Sequence, residues 1–458
     1  MDAASEAAHA EASARPLTAA EELAEYAASL RYHAIPEDVR ALAGACLIDT
    51  VAAAIAGAAA PASQIVLSLA TGAGPCRIIG ASGPPVRAES ASLANGVASH
   101  ALELDSLRQP SAGVHPGAVL VPAALAAAQE RGRGGEALLA GIVAGCEVLC
   151  RVGRATRHSA EARGFHAPGL TGPFGAAIAA GHIFGLDRVA MTNALGIAGS
   201  LAGGLLAFAA AGEGAMVKRL HLGRAAEAGI VAARLAEHGF TGPRTVLEGR
   251  FGFLETFCAA SDPAALTAGL GATWETRTLC FKRYPCHISA HTPVRAIELL
   301  RGQHAFDAAD ISEVTVEGNA KMASLHAGQE PQDTVMAQYS IPFAVAVALL
   351  HDPRQPENFS TAALADRRLR ALARRVRVVD AGSSPGTTTR LAFADGRTLA
   401  LAVADFPGTP ASPLTPAELA EKFTILTRRL GPAAPPLLAR LSRIEEETAL
   451  DWLGGFAA

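Results

Sequence analysis

The chain has 458 residues, 39 Lys+Arg against 43 Asp+Glu for a formal net charge of -4, and is 50% hydrophobic and 18% charged. That apolar fraction excludes a disordered chain, and the near-neutral balance is a poor footprint for nucleic acid, which asks for a basic face. The length predicts two domains or one large one.

The first residues, MDAASEAAHAEASARP, carry acid early and no continuous apolar run, so they read as a frayed Ala-rich tail rather than a secretory signal. Thr18 followed by Glu21 predicts a capping box opening the first helix. Pro36-Glu37-Asp38 opens the next, in which Val39, Leu42, Cys46, Leu47 and Val51 keep helical spacing. Helical stretches are expected over 88–103, 117–131, 135–153, 169–184, 189–209, 221–238 and 262–268. Several are apolar all round, which predicts burial in a large bundle. The charge-free run Ala194–Gly212 has the length of a membrane span. Its Ala/Gly content, without aromatic belts, reads instead as a helix buried among helices, and no membrane association is expected.

The pattern changes near Gly271. Ile311–Val316, Arg375–Val379, Thr387–Phe393 and Thr398–Val403 read as strands, with Asp395-Gly396 as a hairpin turn. Helices are expected over 291–303, 334–350 and 362–374 between them. The tail from Ala417 is helical again. The expected fold is mainly α with a smaller α/β domain: an all-helical domain over 1–270, joined by 405–458, and an α/β lid over 271–404. Seven cysteines without a C-x-x-C pair fit a reduced, cytoplasmic setting.

No P-loop, dinucleotide-binding glycine fingerprint, nucleophile elbow or H-E-x-x-H is present. His100, Glu103 and Asp105, or His287 and His291, could approach a metal, but neither set supplies a clear fourth ligand, so no metal is expected. Four polar clusters interrupt the apolar chain. The first runs from Asn95 to Pro116. In it Asp105 and His115 are the functional candidates, while His100 and Glu103 read as capping residues of a surface loop. The second is Gly164-Phe165-His166-Ala167-Pro168-Gly169, whose glycines allow close backbone approach and whose following helix points amides at an anion. The third, Gly214 to Ala226, places Lys218 just after the charge-free run. Lys occurs only at 218, 282, 321 and 422, so an ammonium here points to a wanted point charge. The fourth is Phe281-Lys282-Arg283-Tyr284-Pro285-Cys286-His287, with two cations, a phenol and an imidazole.

This set of His, Asp, Lys, Arg and Tyr suits a small polyanionic acid held by cations. Removing a proton α to a carboxylate builds extra negative charge, which such cations stabilise, and an imidazole exchanges protons near neutrality.

The segments ANGVASHALELD…HPG, GFHAPGLTGPFGAA, ALGIAGSLAGG, MVKRLHLGRAAEAG and KRYPCHISAH, in this order, resemble the MmgE/PrpD family over nearly the whole chain. The resemblance implies a large helical domain built from both ends of the chain, a smaller α/β lid and a homodimer. It also implies lyase chemistry without metal or organic cofactor. It places Asp105, His115, His166 and Lys218 as catalytic residues, and Lys282, Arg283, Tyr284 and His287 as substrate-binding residues on the motif K-x-x-P-x-H. Three positions depart from the family pattern. Ser106 stands where a second Asp is usual, Phe343 where decarboxylases of the family have a pocket Tyr, and HPG where dehydratases tend to have HPSD.

The function expected is a cofactor-independent, dehydratase-type lyase acting on a small di- or tricarboxylate by α-proton abstraction. An epimerase, a decarboxylase, or an inactive binding or scaffold protein are the alternatives.

Overall fold

The computed structural model describes residues 15–210, 214–382 and 386–456, so most of the expected Ala-rich tail lies outside the described residues. The molecule is mainly helical with a small sheet in its C-terminal part, as expected. The first helix, Ala19–Ser29, carries the capping box: Thr18 N–H donates to Glu21 Oε2 at 2.8 Å and Glu21 N–H to Thr18 Oγ1 at 3.3 Å. The Glu37–Gly57 helix, among the described residues, is the one long and apolar enough to cross a membrane, and its apolar window is 67% buried inside the molecule. A short helix at Pro61–Leu69 was not expected from the sequence. Its missing N-terminal cap, with Pro at its start, leaves little periodic signal in nine residues.

Small residues decide how these helices meet. Gly223 lies where a Cβ would stand 2.4 Å from the Leu93 carbonyl oxygen, and a Cβ on Gly96 would stand 2.7 Å from Gly223 Cα. The Ala88–His100 and Val217–Glu237 helices therefore touch backbone to backbone. That contact sets the C-terminal end of one, at His100, beside the first turn of the other, at Lys218 and Arg219.

The expected helix over 189–209 is broken. It runs from Arg188 to Ser200, and a four-residue turn of helix resumes at Ala207. Between them Gly204 adopts φ +141°, Leu205 bridges Phe165, and the Gly204 carbonyl accepts from His166 N–H at 3.0 Å. Gly203-Gly204 lets the chain extend there, and the backbone groups released from the helix are spent on the His166 segment. The expected 334–350 helix is likewise two, Thr334–Tyr339 and Ile341–Leu350. Ser340 has extended φ/ψ and its hydroxyl caps the second, accepting from Phe343 N–H at 3.0 Å. Pro342 has no N–H to continue the first. The expected 362–374 helix divides at Asp366, and 262–268 holds a 3-10 turn at Pro263–Leu266.

The sheet has the order Val376–Asp380, Ile311–Gly318, Thr387–Phe393, Thr398–Val403. The first pair is parallel and the others antiparallel. Ile311, Val314, Val316, Leu391 and Phe393 point to one buried face, packed with Ile341–Leu350 and the His291–Gln303 helix into a second core separate from the large helical one. The C-terminal residues Phe423, Leu426, Leu437 and Leu453 belong to the large core. Leu107–Arg108 pairs antiparallel with Leu279–Cys280, tying the loop after His100 to the segment that leads to Lys282.

Candidate active site

Most of the loop between His100 and Pro116 is buried, with Pro110 and Ser111 exposed at its tip. Asp105 has no exposed surface and its carboxylate bridges two imidazoles: His100 Nδ1 lies 2.8 Å from Oδ1 and His115 Nδ1 2.7 Å from Oδ2. Burial alone would raise this carboxyl, but its interactions with His100 and His115 override it and hold it well below the usual range. A carboxylate accepts only, so both Nδ1 atoms carry the proton. The lone pair of each neutral ring is thereby placed on Nε2. In His100 that atom faces Lys218 Nζ at 3.2 Å. Burial, and then the neighbouring Asp105 and Lys218, leave His100 well below its ordinary value. His115 occupies the position just before the Pro116–Glu130 helix and lines a cavity of about 610 Å³.

Glu103 is the second centre. Its side chain is 1% exposed, and it contacts Lys218, Arg219 and Lys282, the last at 2.9 Å. Its backbone is left-handed, φ +56°, an unfavourable state for a non-glycine residue that the surrounding contacts impose. Arg219 also donates to the His100 carbonyl at 3.1 Å and to Gln338 Oε1 at 2.6 Å. Burial, with Arg219 and Lys282 nearby, pushes the Lys218 ammonium well below its ordinary range. Burial also lowers Lys282, against the pull of Asp105, and brings Arg219 down to about 10. Two cations in a first helical turn oppose the helix dipole, and the buried carboxylate of Glu103 offsets that. His100 and Glu103, expected as surface caps, are therefore at the heart of the cluster. Their neighbours come from positions more than 100 residues away, which no local pattern encodes.

The remaining wall comes from both parts of the chain. His166 occupies the position just before the Ala167–Phe184 helix, and its Nδ1 meets His221 Nδ1 at 2.9 Å, which requires one ring to donate and the other to accept. Burial, then His221, keeps His166 well below its ordinary value. Across the cavity His287 stacks on His326 with centroids 4.1 Å apart. His287 Nδ1 accepts from Ser289 N–H at 3.3 Å, while His326 Nδ1 donates to the Tyr339 carbonyl at 3.1 Å. Burial, then His326, pushes His287 well down, and burial, then Lys321, brings His326 to about 4. The Tyr339 ring lies 4.8 Å from Lys218 Nζ, and burial raises its phenol so that it keeps its proton.

Of the eight residues expected at the site, Lys218, Lys282, His115, His166 and His287 line this cavity, with Asp105 directly behind His115. Arg283 and Tyr284 do not line it. Arg283 turns to Glu418 at 3.0 Å on the Pro416–Thr427 helix. The Tyr284 ring is fully buried in the smaller core and its hydroxyl donates to Glu298 at 2.5 Å. The chain bends after Lys282, so one side chain of the motif reaches the cavity while its neighbours serve packing and a surface ion pair. Phe343 is likewise a core residue, 6.0 Å from the Phe359 ring. The tyrosine of the cavity is Tyr339, four residues earlier, at the end of the preceding helix. The lysine composition is the clue that holds best: Lys218, Lys282 and Lys321 line the cavity, and Lys422 donates to the Leu104 carbonyl beside Glu103.

His100, Asp105 and His115 approach within 4.8 Å, the spacing of a possible cation cluster. Their facing atoms already lie at hydrogen-bond distance with the protons on the imidazoles, so the set is saturated as a carboxylate bridging two N–H donors.

Comparison with known proteins gives the family of the chain. The profile of the MmgE/PrpD N-terminal domain matches residues 21–266, and that of the MmgE/PrpD C-terminal domain matches 284–437. The chain belongs to the MmgE/PrpD family. Within this family it is 32% identical over 354 residues to a cis-aconitate decarboxylase of Aspergillus terreus, covering 72% of this chain and 71% of that protein. A cis-aconitate decarboxylase-like protein of Aspergillus oryzae is 32% identical over 302 residues, 61% of each chain. The human cis-aconitate decarboxylase is 35% identical over 211 residues, 44% of this chain and 42% of that one. The cavity is lined from the helical part by Glu103, His115, His166 and Lys218, with Asp105 behind His115, and from the later segment by Lys282 and His287.

Proposed function

We propose that this MmgE/PrpD protein is a cofactor-independent lyase that moves a proton at the carbon beside a carboxylate of a small polycarboxylate. The observation that carries this reading is the Asp105 bridge, which leaves His115 with its Nδ1 proton on the carboxylate at 2.7 Å and its lone pair on Nε2. His115 is then the base, and Asp105 stabilises the imidazolium formed when it takes the α-proton. The enediolate that results carries added negative charge, which Lys218 and Lys282 stabilise at the cavity wall with Arg219 behind them. Loss of a β-hydroxyl needs an acid, and Tyr339, whose phenol keeps its proton, or Lys218 supplies it. His166 and His287 position the substrate from opposite walls.

A second reading is decarboxylation, favoured by the names of the relatives at 32% identity. The same cations would hold the electron pair left by carbon dioxide, and the acid would reprotonate the carbon. Exposed Leu201, Leu205, Met216 and Val217, on the segment flanking the cavity, fit the homodimer implied by the family resemblance.

Incubation with citrate, 2-methylcitrate, malate and cis-aconitate in deuterated water, with chelator present, tests both by NMR. Water loss supports the first reading, carbon dioxide loss the second, and inversion with deuterium uptake an epimerase. No product and no deuterium uptake across the panel favours an inactive binding or scaffold protein.

A further inference from the structure

The stacked rings of His287 and His326 line the cavity together, and their hydrogen bonds fix which nitrogen of each carries a proton. His287 Nδ1 accepts from Ser289 N–H at 3.3 Å, so the neutral ring has its proton on Nε2. His326 Nδ1 lies 3.1 Å from the Tyr339 carbonyl, which only accepts. That ring therefore keeps its proton on Nδ1 and its lone pair on Nε2. Both are neutral at neutral pH, because burial lowers both. The pair thus offers one donor, His287 Nε2–H, and one acceptor, His326 Nε2.

Among the described residues the acceptor has no partner. His326 is 2% exposed, and its Nε2 is buried without a hydrogen bond. An acceptor taken out of water and left unpaired costs stability, and a ligand group that donates to it offsets the loss. The kind of group follows from the two nitrogens. A carboxylate only accepts, so it suits His287 and is repelled by the His326 lone pair. An ammonium only donates, and the charges of Lys321 and Lys218, which act on His326, oppose it. A hydroxyl does both, donating to His326 Nε2 and accepting from His287 Nε2–H. Rings stacked with centroids 4.1 Å apart can share one such group.

We propose that His326, paired with His287, is the specificity residue for a hydroxyl on the substrate, so that the cavity takes a hydroxy polycarboxylate in preference to the same acid without its hydroxyl. The proposal rests on the polycarboxylate reading above and sharpens it at one functional group. It sets no limit on the number of carboxylates, which fall to the lysines of the cavity wall. The recognition exchanges hydrogen bonds and moves no proton. It favours water loss over decarboxylation, because a dehydrated product no longer carries the hydroxyl, loses both bonds to the pair and is released more easily.

Calorimetric titration of the full chain with two matched pairs, each enantiomer of malate against succinate and citrate against tricarballylate, reads the hydroxyl alone. The wild type should bind the hydroxylated acid at least about tenfold more tightly in one pair or both. His326→Asn keeps an amide donor for the Tyr339 carbonyl but has no atom at the Nε2 position. It should bring that ratio within about threefold, weakening the hydroxylated acid while its partner stays within about twofold. A merely structural role would weaken both acids alike, and that result overturns the proposal. So does a ratio below about tenfold in both pairs, water then being the occupant of the pair, or a ratio unmoved by His326→Asn. If His326→Asn does not fold, His326→Phe, which keeps the ring stack, takes its place, and if neither folds the wild-type ratio decides. Binding without discrimination sinks this proposal alone. If none of the acids binds, the polycarboxylate reading fails and the hydroxyl selectivity goes with it.

Discussion

Lys422 donates to the carbonyl oxygen of Leu104 at 2.8 Å, so a helix near the end of the chain holds the peptide between Glu103 and Asp105. The same ammonium is paired with Asp49, which has no exposed surface to speak of and one carboxylate oxygen without a partner. Replacing Lys422 by Met leaves that carboxylate alone in the core and should cost about 3–5 kcal/mol in urea unfolding. Adding Asp49→Leu should recover most of the stability. It should not restore deuterium exchange or turnover on whichever substrate is identified, since the Leu104 carbonyl still lacks its donor and the strained Glu103 backbone is released.

Asp105→Asn tests the double histidine bridge. The amide can donate as well as accept, so one of the two imidazoles is driven to the wrong tautomer. Deuterium exchange or turnover on whichever substrate is identified should fall by about 10²–10⁴, with circular dichroism unchanged. A loss of less than tenfold would falsify the role of Asp105 in setting the base.

Stability should fall steeply on acidification. His326, brought by burial to about 4, binds its proton in the unfolded chain near pH 6.5 but not in the native one. The unfolded state therefore holds more protons in that window, and stability is lost as pH falls from about 6.5 towards 4. His326 alone accounts for on the order of 2 kcal/mol by pH 5. His100, His166, His287 and His291, shifted down by burial in the same sense, add to it. Asp105 acts elsewhere on the scale: its depressed value stabilises the fold above about pH 4 and is lost only at lower pH. Guanidinium unfolding at pH 7.5, 6 and 5 measures the slope, and His326→Phe should reduce it by about one proton.

Phe343 and Tyr339 separate core from cavity. Phe343→Tyr buries a hydroxyl in the smaller core and should cost about 1–3 kcal/mol while leaving KM for whichever substrate is identified within about twofold. Tyr339→Phe removes a hydroxyl from the cavity wall and should leave stability nearly unchanged. If the phenol is the acid, the turnover number falls about a hundredfold and KM much less.

The layers of the fold were legible because they follow from period and punctuation. Alternating apolar residues in Ile311–Gly318 and Thr387–Phe393 gave strands, Asp395-Gly396 gave the turn between two of them, and Thr18 with Glu21 marked the first helix start. Breaks inside apolar runs were not legible: the 201–206 extension and the Ser340 cap exist because tertiary partners use the freed backbone groups. Lys218 and Lys282 stood out because lysine is rare here, and His115 and His166 because each precedes a helix start.

By itself, then, the sequence determined the succession of helical, mixed and helical segments, the family, and five of the side chains that line one cavity: His115, His166, Lys218, Lys282 and His287. Only the tertiary structure decided what those side chains do to one another. Glu103 and His100 look like helix-end residues until Gly96 and Gly223 bring two helices into backbone contact and set Lys218 beside them. Arg283 and Tyr284 look like ligands until the bend after Lys282 turns them to Glu418 and Glu298. The reason is range: helix and strand patterns are set by neighbours a few positions away, whereas charge pairing in a buried site depends on distances between residues more than 100 positions apart.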